Sequence, residues 1–166
     1  MIRKRTVADL AACVAALRAT HGADGYPERW PADPAGWLAP PGMLGAWVAV
    51  AGDAVLGHVL IRAGEATKGG GRIAAAAGLA VERTAMVGRL LVVPGARGAG
   101  LGGALLGVAV AAARERGLAP VLDVASGAAA AIALYDREGW RRVGTAVEEI
   151  TDGTRLSLEL FVGPDH

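Results

Sequence analysis

The sequence has little of several features that would place it in a particular class of protein. It contains a single cysteine, Cys13, which excludes an intramolecular disulfide and, without a nearby cluster of histidine or cysteine, makes a metal site a poor prediction. Its net charge is +1, which argues against electrostatic binding of nucleic acid as the main role. No apolar run reaches the ~20 residues that a membrane-spanning helix needs. We therefore expect a cytoplasmic protein with no metal, no nucleic-acid partner and no membrane partner.

The composition and the apolar spacing predict one packed domain, residues 1–166. The chain has 166 residues, of which 53% are hydrophobic and 20% charged. The pattern predicts an α/β fold (α+β mixed sheet) with the order β-α-α-β-β-β-α-β-α-β-β, and its central βαβ unit should be parallel and right-handed. Residues 65–80 have no clear period and are interpreted as a loop.

The most informative stretch covers residues 89–106, which read RLLVVPGARGAGLGGALL. An apolar β-type run ends at Pro94, a glycine-rich turn carrying Arg97 follows, and a helical pattern begins near Leu101. The four glycines between Gly98 and Gly103 leave this turn with few side chains, so its backbone N–H groups can converge on one anion. The positive end of the following helix adds to this attraction. The stretch predicts a phosphate-binding loop.

Two common phosphate loops fit this stretch less well. A Walker-type loop needs a GK[ST] ending, which is absent here. Gly98, Gly100 and Gly103 do spell GxGxxG, and Asp123 follows about 20 residues later, as a dinucleotide site requires. However, the first glycine does not lie at the strand end, and too few residues follow Gly103 to complete a six-stranded doubly wound sheet. Dinucleotide binding is kept as a minor alternative.

A third interpretation uses more of the chain. Residues 94–102 read P-x-x-R-x-x-G-x-G, and residues 131–140 read A-I-A-L-Y-D-R-E-G-W. These motifs resemble the acyl-CoA pyrophosphate loop, R/Q-x-x-G-x-G/A, and the A-I-x-L-Y-x-x-x-G-F segment of the GNAT superfamily of N-acetyltransferases. The resemblance implies a GNAT-like acyl-CoA N-acyltransferase fold. It also implies an enzyme that uses acetyl-CoA, without a metal, to acetylate a primary amine by direct transfer in a ternary complex.

The resemblance assigns roles to residues of the cofactor site. The backbone of one strand edge would pair with the amides of the pantetheine arm, and this edge is formed by Leu90, Leu91 and Val92. The pyrophosphate would lie on the loop formed by Arg97, Gly98, Ala99, Gly100, Leu101, Gly102 and Gly103. The Arg97 side chain either adds a charge-assisted contact to phosphate or solvates the loop.

The resemblance also assigns a catalytic acid but leaves the base open. Tyr135 matches the tyrosine that protonates the leaving thiolate in this family. Many members carry a glutamate on the strand before the loop, where this chain has Met86. Asp123 matches a carboxylate that ribosomal-protein acetyltransferases carry, and a carboxylate in an apolar strand is costly to bury unless it faces a cavity or a partner. Glu82 is the reserve candidate, and a water chain without a dedicated base is a third possibility.

The acceptor side is the least defined. The acceptor would be a small-molecule or peptide amine, and a cationic amine would suit the acidic and aromatic side chains of the proline-rich segment: Asp24, Tyr26, Glu28, Trp30, Asp33 and Trp37. Ala128 stands where the family often has an asparagine that contacts the cofactor. Because of this departure and Met86, a CoA-binding sensor or interaction module without catalysis is an alternative. Homodimers are common for such folds, and nothing in the sequence fixes this state.

Overall fold

The computed structural model describes residues 1–149 and 153–165. This part of the chain contains seven strands and five α-helices, which confirms the mixed α/β class. The strands are β1 (Ile2–Lys4), β2 (Met43–Ala51), β3 (Ala54–Ala63), β4 (Thr84–Val92), β5 (Ala119–Ala125), β6 (Arg141–Glu149) and β7 (Arg155–Val162). The helices are α1 (Leu10–Asp24), α2 (Pro34–Trp37), α3 (Lys68–Ala77), α4 (Leu101–Glu115) and α5 (Ala129–Arg137).

The chain divides into two compact units, which are described separately. The first consists of Met1–Ile61 and Gly88–Ala109, and the second of Arg62–Val87 and Val110–His166. Among the helices within residues 1–149 and 153–165, none is long and apolar enough to cross a membrane. Over the same residues, no three side chains of histidine, cysteine, aspartate or glutamate form a group that could hold a metal ion.

In the first unit the strands follow the order β1-β2-β3-β4. β1 pairs antiparallel with β2, and Ile2 lies opposite Ala49. α1 presents buried residues three and four positions apart, as a helix packed along one face requires. Its Cys13 and Leu17 are fully buried and pack with Leu91 of β4 in the core of this unit. The core therefore holds β4 at the point where it approaches the glycine-rich loop.

In the second unit the strands follow the order β4-β5-β7-β6. β4 pairs in parallel with β5, from Thr84 opposite Ala119 to Met86 opposite Val121. This confirms the predicted parallel pairing of the central βαβ unit. β7 is antiparallel to both β5 and β6. Its alternating leucines pack on Met86, Val121 and the fully buried Ile73 of α3.

The loop predicted for residues 65–80 is wrong, because this segment contains α3, Lys68–Ala77. The run of glycines and alanines concealed the helical period. Thr67 caps the start of this helix, and its hydroxyl accepts a hydrogen bond from the Gly70 N–H at 2.9 Å. A Cβ at Gly70 would lie 2.1 Å from the Gly64 carbonyl oxygen, so the glycine that weakens the helical pattern is required by a close backbone contact. The predicted order is otherwise retained.

Candidate active site

The glycine-rich loop of the first unit joins β4 to α4. A short 3-10 turn, Pro94–Ala96, follows the strand, and Gly98 and Gly100 then adopt φ angles of 87° and 80°. This left-handed region strains any residue with a Cβ. An added Cβ at either glycine would meet no atom within 4 Å, so glycine is required by the turn and not by crowding. The loop backbone is therefore open to a ligand.

The start of α4 supplies hydrogen-bond donors to this loop. The Gly100 carbonyl accepts the Ala104 N–H at 3.1 Å, so the helix begins directly after Gly100. The N–H groups of Leu101, Gly102 and Gly103 lie in the first turn, where no acceptor within the helix exists. They carry the positive end of the dipole of a 15-residue helix. This set of N–H donors fits a pyrophosphate, which the backbone can bind without a metal ion.

Arg97 is held by groups of its own chain. Its Nη1 donates to Asp24 Oδ1 at 3.0 Å, and its Nη2 donates to the other carboxylate oxygen. Its Nε donates to the Val92 carbonyl at 3.1 Å. The hydrogen bonds from Arg97 lower the pKa of Asp24, and the same bonds raise the pKa of Arg97. Asp24 was expected on the acceptor side, whereas the structure pairs it with Arg97 of the glycine-rich loop.

The edge predicted to bind pantetheine, residues 90–92, lies after the part of β4 that is paired with β5. The parallel register with β5 covers Thr84–Met86, and residues 90–92 lie beyond that segment. Leu91 is buried in the core of the first unit, while Leu90 and Val92 are half-buried. The side chain of Leu91 thus anchors the strand whose backbone would meet the pantetheine arm.

In the second unit, Asp123 of β5 lies beside an arginine of α3. Arg72 Nη2 is 3.7 Å from Asp123 Oδ2 and 3.8 Å from Glu148 Oε1 of β6. Burial raises the pKa of Asp123, Arg72 opposes this effect, and the charge of Glu148 adds to it. A Cβ at Gly69 would lie 2.5 Å from Asp123 Oδ2, so the first turn of α3 must be free of side chains here. Asp123 is therefore a half-buried carboxyl whose pKa lies above that of a free aspartate, chiefly because of burial.

Arg72 could not be recognised from the sequence, because the helix that carries it was predicted to be a loop. Its Nε is buried and, within the part of the chain that the structure describes, has no hydrogen-bond partner. Glu82, the reserve base, lies in the exposed 3-10 turn Val81–Arg83 before β4. The two carboxyl candidates for the base thus differ in environment, since only Asp123 combines burial with a neighbouring arginine.

Tyr135 of α5 is 7% exposed and lies among aromatic rings of the second unit. Its ring centroid is 6.0 Å from that of Trp140 and 5.6 Å from that of Phe161. Gly139 has a φ of 83°, and the Trp140 N–H then donates to the Tyr135 carbonyl at 3.0 Å. The Gly-Trp ending of the motif therefore fixes the end of α5 against the tyrosine. At the start of α5, Ala128 provides no side-chain cap.

The proline-rich segment of the first unit uses several of its side chains internally. Asp33 Oδ1 accepts the Gly36 N–H at 3.1 Å and so caps α2. The Arg18 guanidinium lies 4.6 Å from the centroid of the Trp30 ring system, and that of Arg89 lies 3.9 Å from the Trp37 ring. Recognition of a cationic acceptor by this segment stays a prediction. Arg18 and Arg89 already lie over the faces of Trp30 and Trp37 that such an acceptor would use.

In mixed α/β folds, a glycine-rich loop at a helix N-terminus is a common site for phosphate-bearing cofactors. A model of the acetyltransferase (GNAT) family matches residues 11–140, so the chain belongs to the GNAT acetyltransferase family. This confirms the resemblance seen in the sequence motifs. A search of curated protein sequences gave no match.

Solved structures of acetyltransferases share the fold. A ribosomal-protein-alanine N-acetyltransferase from Brucella melitensis is 24% identical, with a TM-score of 0.74 and 98% of each chain covered. The putative acetyltransferase YncA from Salmonella typhimurium, solved with its cofactor acetyl-CoA, is 20% identical, with a TM-score of 0.73, covering 100% of this chain and 94% of that one. The acetyl-CoA prediction agrees with the family and with this cofactor-bound relative.

Proposed function

We propose that this protein is an N-acetyltransferase that moves an acetyl group from acetyl-CoA to a primary amine by direct transfer in a ternary complex. The observation that carries the proposal is the loop after β4, in which Gly98 and Gly100 take left-handed φ angles directly before the start of α4. Its backbone donors match a pyrophosphate, and its sequence matches the family motif. The membership of the chain in the GNAT family supports the same chemistry.

The cosubstrate would be held by backbone groups of the first unit. The N–H groups of residues 98–103 would bind the pyrophosphate, with Arg97 adding charge beside them. The backbone of residues 90–92 would pair with the pantetheine amides as an added strand does. Acetyl-CoA supplies the thioester whose acetyl group is transferred. In this arrangement the chain binds and orients the donor chiefly through main-chain hydrogen bonds.

The proton transfers would use side chains of the second unit. Asp123 would accept the proton of the acceptor amine, since burial raises its pKa and so makes it a better base than an exposed carboxylate. Tyr135 would donate a hydrogen bond, and finally a proton, to the thiolate. A thiol titrates at about 8.5 and a phenol at about 10, so full transfer to a free thiolate is uphill by about 2 kcal/mol, and Tyr135 would act mainly as a hydrogen-bond donor whose proton moves late. Glu82, which lies in the exposed turn before β4, is the alternative base.

The test combines binding and turnover. Calorimetry measures the Kd for acetyl-CoA, and release of free thiol with an amine panel measures transfer. Tyr135→Phe should lower kcat by about 10²-fold and leave the Kd for acetyl-CoA within about twofold, because general acids act on the reaction and not on ground-state binding. Asp136→Asn, an exposed change on the same helix, is the control and should behave as the wild-type protein.

The same measurements separate the alternatives. Binding of acetyl-CoA without thiol release from any amine would indicate a CoA sensor or interaction module, which the departures at Met86 and Ala128 would then explain. Binding of NAD in place of CoA and acetyl-CoA would support the dinucleotide alternative. Full turnover in Tyr135→Phe would show that the tyrosine packs the core and is not the acid.

The acceptor is tested with a panel of a polyamine, an aminoglycoside and N-terminal peptides. Because Asp24 and Asp33 have partners within the chain, Glu28 is the acid of the proline-rich segment whose neutralisation tests recognition most directly. Glu28→Gln should raise the KM for a cationic acceptor and leave the KM for acetyl-CoA unchanged. An unchanged acceptor KM would contradict a role for this segment.

A further inference from the structure

In the first unit, a ring of polar contacts includes Arg89 of β4. His58 of β3 is 0% exposed; its Nδ1 is 2.9 Å from the Arg89 carbonyl, and its Nε2 is 2.8 Å from Arg5 Nη1. The same Arg5 atom donates to the Leu38 carbonyl, and Arg89 Nε donates to the Trp37 carbonyl at 3.1 Å. The ring therefore joins β3, β4 and the end of α2.

The partners of His58 fix its tautomer. A carbonyl only accepts hydrogen bonds, so Nδ1 carries the proton that is donated to Arg89. A guanidinium only donates, so Nε2 is the acceptor for Arg5. Burial lowers the pKa of His58 to about 4, which agrees with a neutral ring that bridges these two groups. One imidazole thus connects a main-chain carbonyl of β4 to a charged side chain.

The residue that this ring holds has a strained backbone. Arg89 has a φ of 53° and, among residues 1–149 and 153–165, is the one non-glycine residue with a positive φ. Such a conformation is costly for a residue with a Cβ and persists where its surroundings hold it in place. The guanidinium stacks on Trp37 at 3.9 Å, so the side chain is fixed as well as the carbonyl. A polar network around the buried His58 is thus built about one left-handed turn within a strand.

The position of this turn gives it a consequence for function. Leu90 follows Arg89 directly and begins the edge, residues 90–92, that would pair with pantetheine. A left-handed residue changes the direction of the peptide groups next to it, so it sets where the first N–H and C=O groups of this edge point. An added strand binds through the spacing of just these groups. An error in the turn would therefore appear as weaker binding of the acyl donor.

We propose that His58 is a positioning residue for the acyl donor: the hydrogen bond from its Nδ1 to the Arg89 carbonyl holds the left-handed turn from which the edge of residues 90–92 begins. The inference rests on the proposed function, because it concerns the same donor site. The hydrogen bond from His58 to the Arg89 carbonyl then contributes to ligand binding, whereas the hydrogen bond from Arg5 to His58 contributes only to the stability of the fold.

Two substitutions of similar size separate these bonds. His58→Asn places an amide nitrogen near the position of Nδ1 and can still donate to Arg89, but it loses the acceptor for Arg5. His58→Gln places an amide oxygen near the position of Nε2 and can still accept from Arg5, but it loses the donor to Arg89. Leu60→Ala, at a fully buried position of the same strand outside the ring, is the control for destabilisation.

Calorimetry with acetyl-CoA and with CoA, urea unfolding, and kcat and KM are measured on the full chain. His58→Gln should raise the Kd and the KM for acetyl-CoA about tenfold, and His58→Asn should stay within about threefold, although both lower the urea midpoint. Leu60→Ala should lower the urea midpoint with an unchanged Kd. Equal affinities in the two His58 variants would overturn the proposal and leave His58 a structural residue.

The wild-type protein provides a second measurement that does not depend on the variants folding. In nitrogen-15 NMR of the imidazole, acetyl-CoA should shift the Nδ1 resonance more than the Nε2 resonance, and no shift at Nδ1 would contradict the proposal. If the wild-type protein binds neither acetyl-CoA nor CoA, the proposed function itself fails. If it binds them and the His58 variants bind equally well, only the positioning role fails.

Discussion

Acidification should destabilise this protein through one buried side chain, His58. Its pKa is lowered from 6.5 to about 4, chiefly because burial penalises the charged ring. The unfolded chain therefore takes up a proton near pH ~6.5, whereas the native state resists it down to about pH 4. The stabilisation that comes from keeping His58 neutral is fully present above the pKa of the unfolded chain. It is lost as the pH falls from that pKa to the lower pKa of the native state. The full loss is about 3 kcal/mol, a large share of a typical domain's stability.

The measurement is urea unfolding at a series of pH values, compared between the wild-type protein and His58→Gln, which has no group that titrates here. From about pH 7 to about pH 4.5, the free energy of unfolding of the wild-type protein should fall by about 2 kcal/mol more than that of the variant. The comparison cancels other groups. Asp9 and Asp24 have lowered pKa values and lose their stabilisation at lower pH, and Asp123 has a raised pKa, but all three are present in both proteins.

Parallel pH dependences in the two proteins would refute the reasoning. They would mean that the native state accommodates a protonated His58, and hence that the contact with the Arg5 guanidinium is absent or rearranges easily in solution. This result would also remove the fixed tautomer on which the contact with Arg89 depends.

Three further outcomes test the candidate site. Asp24→Asn should tighten CoA binding up to about fivefold in low-salt calorimetry, because it removes an anion beside Arg97; weaker binding would contradict this. Gly100→Ala should raise the Kd for acetyl-CoA about tenfold, because the free loop relaxes out of the left-handed conformation and binding must restore it at a cost of about 1–2 kcal/mol. Gly107→Ala, in open space on α4, should leave the Kd unchanged and stabilise the helix. Asp123→Asn should abolish the acid limb of kcat/KM, which lies above the usual aspartate range; a retained limb would exclude it as the base.

The parts of the site that lie in one continuous stretch were predictable. The loop of residues 94–103 is such a case, because a strand, a turn that needs glycine and a helix follow one another along the chain. The left-handed φ angles of Gly98 and Gly100 agree with this prediction. Tyr135 was singled out in the same way, from a motif whose glycine and tryptophan lie at the end of its own helix. Their precise roles in catalysis stay predictions.

The parts that depend on distant residues could not be predicted. α3 was predicted to be a loop because its glycines weaken the helical period. Gly69 and Gly70 are required there because a side chain would clash with Asp123 and Gly64, which are distant in the sequence or outside the helix. Arg72 was therefore missed as the partner of Asp123. Asp24 lies far from Arg97 in the sequence, and nothing local indicates that they pair.

The sequence by itself determined the family, the class of fold and the position of the glycine-rich loop, because each is encoded by local patterns of turn, period and motif. The tertiary structure decided the environment of the side chains. The sequence shows only that His58 lies in a strand, whereas its hydrogen bonds with Arg5 and the Arg89 carbonyl come from residues of other elements. Burial, ion pairing and backbone strain are properties of what surrounds a residue, and these surroundings exist only once the chain has folded.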